Sequence, residues 1–442
     1  MRTVIFRSLL LVVLASMLAG CGGAASSDRS ASKGMTGTAA NIAVASPASG
    51  AETALADSAT TNRNAPPQPQ PAPQSGQLTA GSWDDSINPG VFTSAASLLV
   101  GEGSSDQWAS RLTRSEPVIL RVLAGDVPMR SAALIITQDQ TSFRLTTGTD
   151  GRAIILPALD ASLDPSQPWR VRVVGHEQQV QTIDKPTGEV TVRMPVDLRG
   201  GPEDGLLTQL DLALVIDATG SMGDEMAYVK AEVASIVAAV HARFPDVQQR
   251  YALIVYRDRG DEYVTRPFDF TPSLATFRQQ LDAQQAGGGG DYPEAMDRGL
   301  EAACKLTWRS GRETARMVFV IADAPPHDDQ IGATFAAMQT LREQGVAICP
   351  VAASGTAMAA EFVMRTMALA SGSEYLFLTD DSGIGNSHEE PHIPAYQVTR
   401  LDHQMVRVIT TELVGERVEP SPAQVIRTVG QISGGVWQRA QR

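Results

Sequence analysis

The stretch LDLALVIDATGSM, Leu210 to Met222, constrains the fold more than any other part of the chain. An apolar run ends in Asp217, and Thr219 and Ser221 follow at alternate positions around Gly220. A run hydrophobic on both faces reads as a buried parallel strand. In open α/β sheets, ligands bind where such strands end. Three oxygen-bearing side chains at that edge suit a hard cation such as Mg²⁺. Two later segments repeat the junction: AGGGGDYPEAM, from Ala286 to Met296, is a Gly-rich turn before a helix, and ARMVFVIADAPPH, from Ala315 to His327, is a buried strand with Asp323 at its end.

These three segments, in this order, resemble the metal-ion-dependent adhesion site of von Willebrand factor type A domains, whose first loop reads Asp-x-Ser-x-Ser. Thr219 stands in the place of the first Ser and keeps the hydroxyl. The resemblance covers residues 206–415. It implies a Rossmann-like, doubly wound, mostly parallel sheet. It also implies a cation, Mg²⁺ with Ca²⁺ or Mn²⁺ as alternatives, at Asp217, Thr219, Ser221, Asp323 and a residue of the middle loop. There the chain departs from the many members that carry Thr, and has Asp291-Tyr292-Pro293-Glu294. That D-x-P-E string looks like the loop of integrin β-subunit type A domains, so Glu294 inherits a ligand role by resemblance. Asp291 stands beside it as a direct ligand, an orienting acid or the holder of a second cation. Without the resemblance, Glu294 reads as an acid at a helix N-terminus. Three carboxylates would neutralise Mg²⁺ without an outside acid. Such a site should hold metal firmly and attract a partner's carboxylate weakly.

The N-terminus suggests location. Arg2 and Arg7 flank an apolar run too short for a membrane span. It ends in Leu18-Ala19-Gly20-Cys21, which resembles a bacterial lipobox. The resemblance implies a signal peptide over 1–20, lipidation of Cys21 and, with Gly22 following, sorting to the outer membrane of the cell envelope. Residues 21–77 read as the lipidated Cys and a disordered linker, rich in Ala, Ser, Gln and Pro, with a coil span of about 40 Å. Loss of Arg2 and Arg7 takes the formal net charge from −13 to −15. No basic stripe appears, which argues against nucleic acid. The sparse cysteines exclude a zinc module. Cys304 and Cys349 read as small buried thiols or a disulfide.

Between tether and sheet lie two further parts. Residues 78–112 form a lead-in whose LTAGSWDD string resembles the segment before many bacterial secreted type A modules. Its Asp84 and Asp85 suggest a capped turn, with a Ca²⁺ loop as the alternative. Residues 113–204 switch to period two, with turn signals at Gly125-Asp126 and Thr149-Asp150-Gly151, and predict an all-β sandwich. The TDGRAIILP string resembles carboxypeptidase-regulatory-like domains. Beyond Asp217, helices are expected over Ser221–Phe244, Pro272–Gln285, Pro293–Trp308 and Gln330–Gln344. They alternate with strands at YALIVYRD, GVAICPV and EYLFLT. Residues 416–442 read as a partner helix near Val425–Ile432 or a loose tail. Arg259-Gly260-Asp261 spells an adhesion motif but reads better as loop acids near the metal face. His327 could shape that face, and His388 and His392 lie in a segment that Gly and Pro keep from being helical.

The function expected is an envelope-anchored, metal-dependent protein-binding or adhesion module, not an enzyme. Its protein ligand would sit on the metal face, and its membrane link would be the lipid alone. The alternatives are an envelope scaffold with a structural metal site and, more remotely, a metal-dependent hydrolase.

Overall fold

Residues 73–100, 106–113, 116–176, 178–195, 207–223, 225–384 and 388–438 are described by the computed structural model. The expected signal peptide, the expected lipidation site Cys21 and the expected linker up to residue 72 lie outside the described residues. Strand β1 (Thr79–Trp83) leads into helices α1 (Pro89–Ala96) and α2 (Asp106–Leu112). Eight strands follow: β2 (Val118–Ala124), β3 (Val127–Pro128), β4 (Ala133–Gln138), β5 (Thr141–Thr146), β6 (Arg152–Ile155), β7 (Trp169–Val173), β8 (Val180–Ile183) and β9 (Glu189–Met194). Strand β10 (Gln209–Asp217), helix α3 (Met226–Arg243), β11 (Gln248–Tyr256), β12 (Thr265–Thr271), α4 (Leu274–Asp282) and α5 (Met296–Cys304) come next. Then come β13 (Thr314–Ala322), α6 (Ile331–Glu343), β14 (Ala347–Ala352), α7 (Met358–Ser371), β15 (Tyr375–Thr379), β16 (Tyr396–Arg400), α8 (Leu401–Val414) and β17 (Arg427–Val429).

Nine strands share one sheet, in the order β12, β11, β10, β13, β14, β15, β1, β16, β17. Strands β11, β10, β13, β14 and β15 run parallel, as their unbroken apolar runs demand. Residues of β10 alternate between two cores. Ala213 and Val215 join α5, α6 and α7 on one face, and Leu212, Leu214 and Ile216 join α3, α4 and α8 on the other. The α3 stripe of Val229, Val233, Ile236, Val237 and Val240 is buried as its helical spacing predicts. Each such side chain contributes about 1.5–3 kcal/mol relative to exposure. The expected helix from Ser221 is divided: a 3₁₀ turn spans Gly220–Gly223 before α3 begins at Met226.

The sheet contains strands that the sequence did not announce. β12 pairs antiparallel with β11 at the edge, where Pro267 is tolerated because one side of the strand needs no donor. The lead-in does not stand apart from the sheet. It supplies β1, antiparallel to both β15 and β16, with Thr79 opposite Thr379 and Arg400. Gly81 is required there, since a Cβ would lie 2.3 Å from the Phe377 ring. The described residues after 416, up to 438, form neither a helix near Val425–Ile432 nor a loose tail. They give β17, paired with β16, and a short hairpin whose Trp437 N–H donates to Asn88 Oδ1 at 2.9 Å.

Two four-stranded sheets, β5-β4-β7-β8 and β3-β2-β6 with β9 beside β2, make the expected sandwich. Alternate residues such as Leu120, Val122, Leu134, Ile136, Trp169 and Val171 fill its core. The sandwich and the large sheet belong to the same unit, which runs from Gln70 to Arg442. Arg342 on α6 joins them. It is buried, pairs with both oxygens of Asp160 at 2.7 and 3.0 Å, and donates to the Ile154 carbonyl at 2.6 Å.

Candidate metal centre

Strand β10 delivers Asp217 to the C-terminal edge of the sheet, fully buried. Its Oδ1 accepts from the Thr219 N–H at 2.9 Å and the Thr219 hydroxyl at 2.6 Å. The Thr219 and Ser221 hydroxyls stand 3.2 Å apart. The DATGS loop is clamped to the Gly-rich loop by Gly220 N–H to the Gly288 carbonyl at 3.1 Å and Gly287 N–H to the Ala218 carbonyl at 3.0 Å. Gly288 and Gly289 both have positive φ. A Cβ on Gly288 would fall 2.5 Å from Asp261, and one on Gly289 would fall 2.7 Å from Glu294 Oε1. The run of glycines therefore lets two acids approach the backbone.

Glu294 is buried and held from the next loop, with its N–H donating to the Pro325 carbonyl at 3.0 Å. Asp323, one residue past β13, is buried too. Burial pushes the Glu294 carboxyl up to about 9, with Asp217, Asp258, Asp323 and Asp261 adding to the rise. Asp217 is pushed up to about 7 by burial and then by Asp323. Asp217 Oδ2 and Glu294 Oε2 are buried with no hydrogen-bond partner of normal geometry. Buried carboxylate oxygens without partners are costly, and a cation between them removes that cost. The donor set of carboxylates and hydroxyls is the one a hard divalent ion takes. Among the described residues, no group of three or more His, Cys, Asp or Glu is already gathered for metal binding. Drawing these acids onto one ion therefore calls for a local adjustment.

Asp217, Thr219, Ser221, Glu294 and Asp323 thus lie on adjoining loops at one edge. Asp291 differs: it is exposed, and no hydrogen bond or ion pair joins its side chain to another of the described residues. The two residues between them show why. Tyr292 fixes the loop through its hydroxyl, which accepts from the Ala357 N–H at 2.7 Å and lies 3.2 Å from the Asp323 and Gly355 carbonyls. Sequence spacing alone did not separate Asp291 from Glu294. Asp258 and Asp261 stand beside the glycine loop: His327 Nε2 lies 2.7 Å from Asp258 Oδ1, and Asp261 Oδ2 accepts from Asp258 N–H and Gly289 N–H. Arg259 pairs with buried Asp297 at 2.8 Å, so both charges of the Arg-Gly-Asp string are occupied within the domain.

Sequence reasoning missed Glu225, which is buried, accepts from Ser354 N–H and lies 3.2 Å from His388 Nε2. His388 also reaches Asp380 at 2.8 Å, whereas His392 pairs with Glu361 at 2.9 Å. The two histidines serve different carboxylates and share no site. Cys304 and Cys349 are free thiols.

The sequence pattern of the von Willebrand factor A domain matches residues 211–385. The chain carries a von Willebrand factor A domain. It is similar to a putative ariadne-like RING finger protein of Acanthamoeba polyphaga mimivirus, 35% identical over 118 residues, which is 27% of this chain and 11% of that protein. It is also similar to the alpha-protein kinase vwkA of Dictyostelium discoideum, 30% identical over 120 residues, 27% of this chain and 19% of the other. A third relative is von Willebrand factor A domain-containing protein 7 of Homo sapiens, 32% identical over 117 residues, 26% of this chain and 12% of the other. The matches thus span 11% to 19% of these relatives' lengths. Among solved structures, BatB of Bacteroides thetaiotaomicron aligns at 11% identity and a TM-score of 0.33, covering 46% of this chain and 98% of the other. Von Willebrand factor A domains are generally protein-interaction modules, often with a metal site. Among the described residues, no helix is long and apolar enough to cross a membrane.

Proposed function

We propose that this protein is a metal-dependent binding module of the bacterial cell envelope, anchored by a lipid on Cys21, and not an enzyme. Asp217, Thr219, Ser221, Glu294 and Asp323 would hold a divalent cation, Mg²⁺ in the first instance, and a protein partner would dock on that face. The observation that carries this reading is the pair of buried carboxylate oxygens, Asp217 Oδ2 and Glu294 Oε2, that make no hydrogen bond of normal geometry beside the Thr219 and Ser221 hydroxyls, with the Tyr256 hydroxyl the neighbour of Asp217. When bound, the cation supplies positive charge to acids that Arg257 and Arg259 of these loops do not serve, since Arg257 is held by backbone carbonyls and Arg259 by Asp297. Thr219 holds Asp217 in place, and the glycine loop keeps side chains out of the space between them. Glu294, rather than Asp291, is the third carboxylate of the set.

The test is capture of partners from envelope extract on the immobilised full head, with Mg²⁺ and then with EDTA. A partner released by EDTA supports the reading. A partner retained in EDTA supports the scaffold alternative, in which the metal site is structural.

A further inference from the structure

A cavity of about 600 Å³ opens between β12 and α5. That is the size of a small-molecule site. The cavity beside Asp84 and Glu412, at about 50 Å³, has room for little more than water. Val264, Pro267, Ala302 and Leu306 give the larger cavity apolar walls. Three cations line it, Arg259, Arg298 and Lys305, against two carboxylates, Asp269 and Glu301. Both carboxylates already have donors. Glu301 accepts from Arg298 at 2.8 Å. Asp269 accepts from the N–H groups of Phe270 and Thr307 and from the Thr307 hydroxyl, at 2.8, 3.0 and 2.9 Å. Behind the wall, Asp297 takes Arg259 at 2.8 Å and lies 3.6 Å from Arg298. Arg250, paired with Asp211, adds its positive charge beside Asp269. Asp258 and Asp261, next to Arg259 in sequence, are engaged by His327 and by the glycine loop. No carboxylate of the described residues pairs with Lys305. Positive charge is left over at a cavity whose other walls are apolar.

A second observation, independent of charge, bears on the kind of occupant. β12 is an edge strand of the large sheet, with β11 on one side only. Such an edge can accept a further strand. Here Pro267 withholds an N–H, and the register slips between Phe268 and Thr271, which breaks the ladder. The edge is poorly suited to strand addition. An occupant of the cavity is therefore held by side chains and apolar contact, as a small molecule is.

We propose that this cavity binds a small amphipathic anion, with one carboxylate or phosphate head drawn by Lys305, Arg259 and Arg298 and an apolar body against Val264, Pro267, Ala302 and Leu306. Charge-assisted hydrogen bonds orient the head, and burial of the body supplies affinity. The site uses none of the residues proposed to hold the cation, and its own side chains supply the positive charge.

The experiment is isothermal titration calorimetry on the full chain with octanoate, octyl phosphate, octanol and octyltrimethylammonium. It is run in EDTA, so that no head group can bind through a metal ion. At least one of the two anions should bind about tenfold or more tightly than octanol and octyltrimethylammonium. The tighter of the two tells a carboxylate head from a phosphate head. Lys305→Gln should weaken that anion several-fold and leave octanol unchanged. Lys185→Gln, at an exposed position of the sandwich, should change neither. Ala302→Phe, which fills the cavity, should abolish binding, with its melting temperature recorded to show that it folds. Failure of both anions to bind, equal affinity for octanol or octyltrimethylammonium, equal losses in Lys305→Gln and Lys185→Gln, or full binding by folded Ala302→Phe would overturn the proposal. None of these outcomes bears on the metal reading, which the Mg²⁺-dependent rise in melting temperature tests by itself.

Discussion

Asp85 and Arg365 meet in a bidentate ion pair sealed from solvent, with contacts of 2.7 and 2.9 Å. Asp85 belongs to the lead-in and Arg365 to α7. Trp83 donates its indole N–H to the same carboxylate at 2.7 Å, and Glu361 pairs with Arg365 at 3.0 Å. The WDD string is thus a structural bolt. Neighbouring Asp84 caps Ser86 at 2.9 Å and pairs with Arg417, which makes the pair of acids a capped turn and not a calcium loop. Replacing Asp85 with Ala leaves a buried guanidinium with half its partners, and should cost about 3–5 kcal/mol. Denaturant unfolding of Asp85→Ala and of Asp85→Leu/Arg365→Met checks this. The double variant should be the more stable of the two.

Metal dependence should follow the buried acids. At a hundredfold excess over Kd, a bound ion stabilises the folded state by about 2.7 kcal/mol. Asp217→Asn should abolish the Mg²⁺-dependent shift in melting temperature, Glu294→Gln should weaken it, and Asp291→Asn should leave it as in wild type. The sign of the pH effect is fixed too. Asp217 and Glu294 have folded pKa values raised to about 7 and about 9. Their contribution to stability is therefore full below the ordinary carboxylate range and lost as pH rises through those values. Metal-free protein at pH 8 should be stabilised by Asp217→Asn, measured by melting in EDTA. A variant less stable than wild type under those conditions would contradict the electrostatic account.

The expectation that the linker runs to residue 77 needs correction at its end. Glu232, buried in the middle of α3, accepts from Ser75 Oγ at 3.1 Å and from the N–H groups of Gly76, Gln77 and Leu78 at 2.9, 3.0 and 3.1 Å. Deleting residues 24–72 should leave the melting temperature nearly unchanged. Deleting 24–77 strands a buried carboxylate and should lower stability by about 3 kcal/mol or more. Side-by-side thermal melts of the two truncations decide the point.

Glu412 on α8 offers a test away from the metal face. It is buried against Thr149 of the sandwich, at 3.1 Å, and burial raises its pKa to about 7, with Asp150 adding to the rise. Its stabilising contribution is present below about pH 4.5 and lost as pH rises to about 7. Glu412→Gln should therefore stabilise the protein at pH 8 by about 1–3 kcal/mol and change little at pH 4.5. Urea midpoints at the two pH values give the comparison.

For the anchor, Cys21→Ser should move the full chain from the membrane fraction to the soluble fraction. Continued membrane association of the variant, seen by fractionation and immunoblotting, would exclude the lipid as the sole attachment.

Much of the fold was legible because it is written in local pattern. β10, β11 and β13 are buried on both faces and so read as unbroken apolar runs, and Asp217 and Asp323 mark their ends without reference to the rest of the chain. The sandwich strands alternate because each has one wet face. What was not legible depends on distant partners. β1 is five residues long and carries Gly81, and only Phe377 explains that glycine. β12 contains Pro267, acceptable only because the strand is at an edge. Glu232 reads as a solvent-facing helix residue until its four donors from the N-terminal side are seen. Spacing along one turn could not tell that Asp291 is exposed and Glu294 buried, because that depends on where Tyr292 anchors the loop.

The insertion of β1 between β15 and β16 also dictates an order of events. Thr79 emerges from the ribosome 300 residues before Thr379, its partner across the ladder. Until then β1 has no neighbour, and β15, once made, exposes an edge that only β1 can cover. Closure of so long a loop is slow relative to the hairpins of the sandwich. The sandwich can form early, but the large sheet stays open until the last quarter of the chain is available. An unpaired edge in that interval is a template for another chain. Aggregation during synthesis, and dependence on whatever holds the chain unfolded meanwhile, should centre on this slot and not on the finished surface.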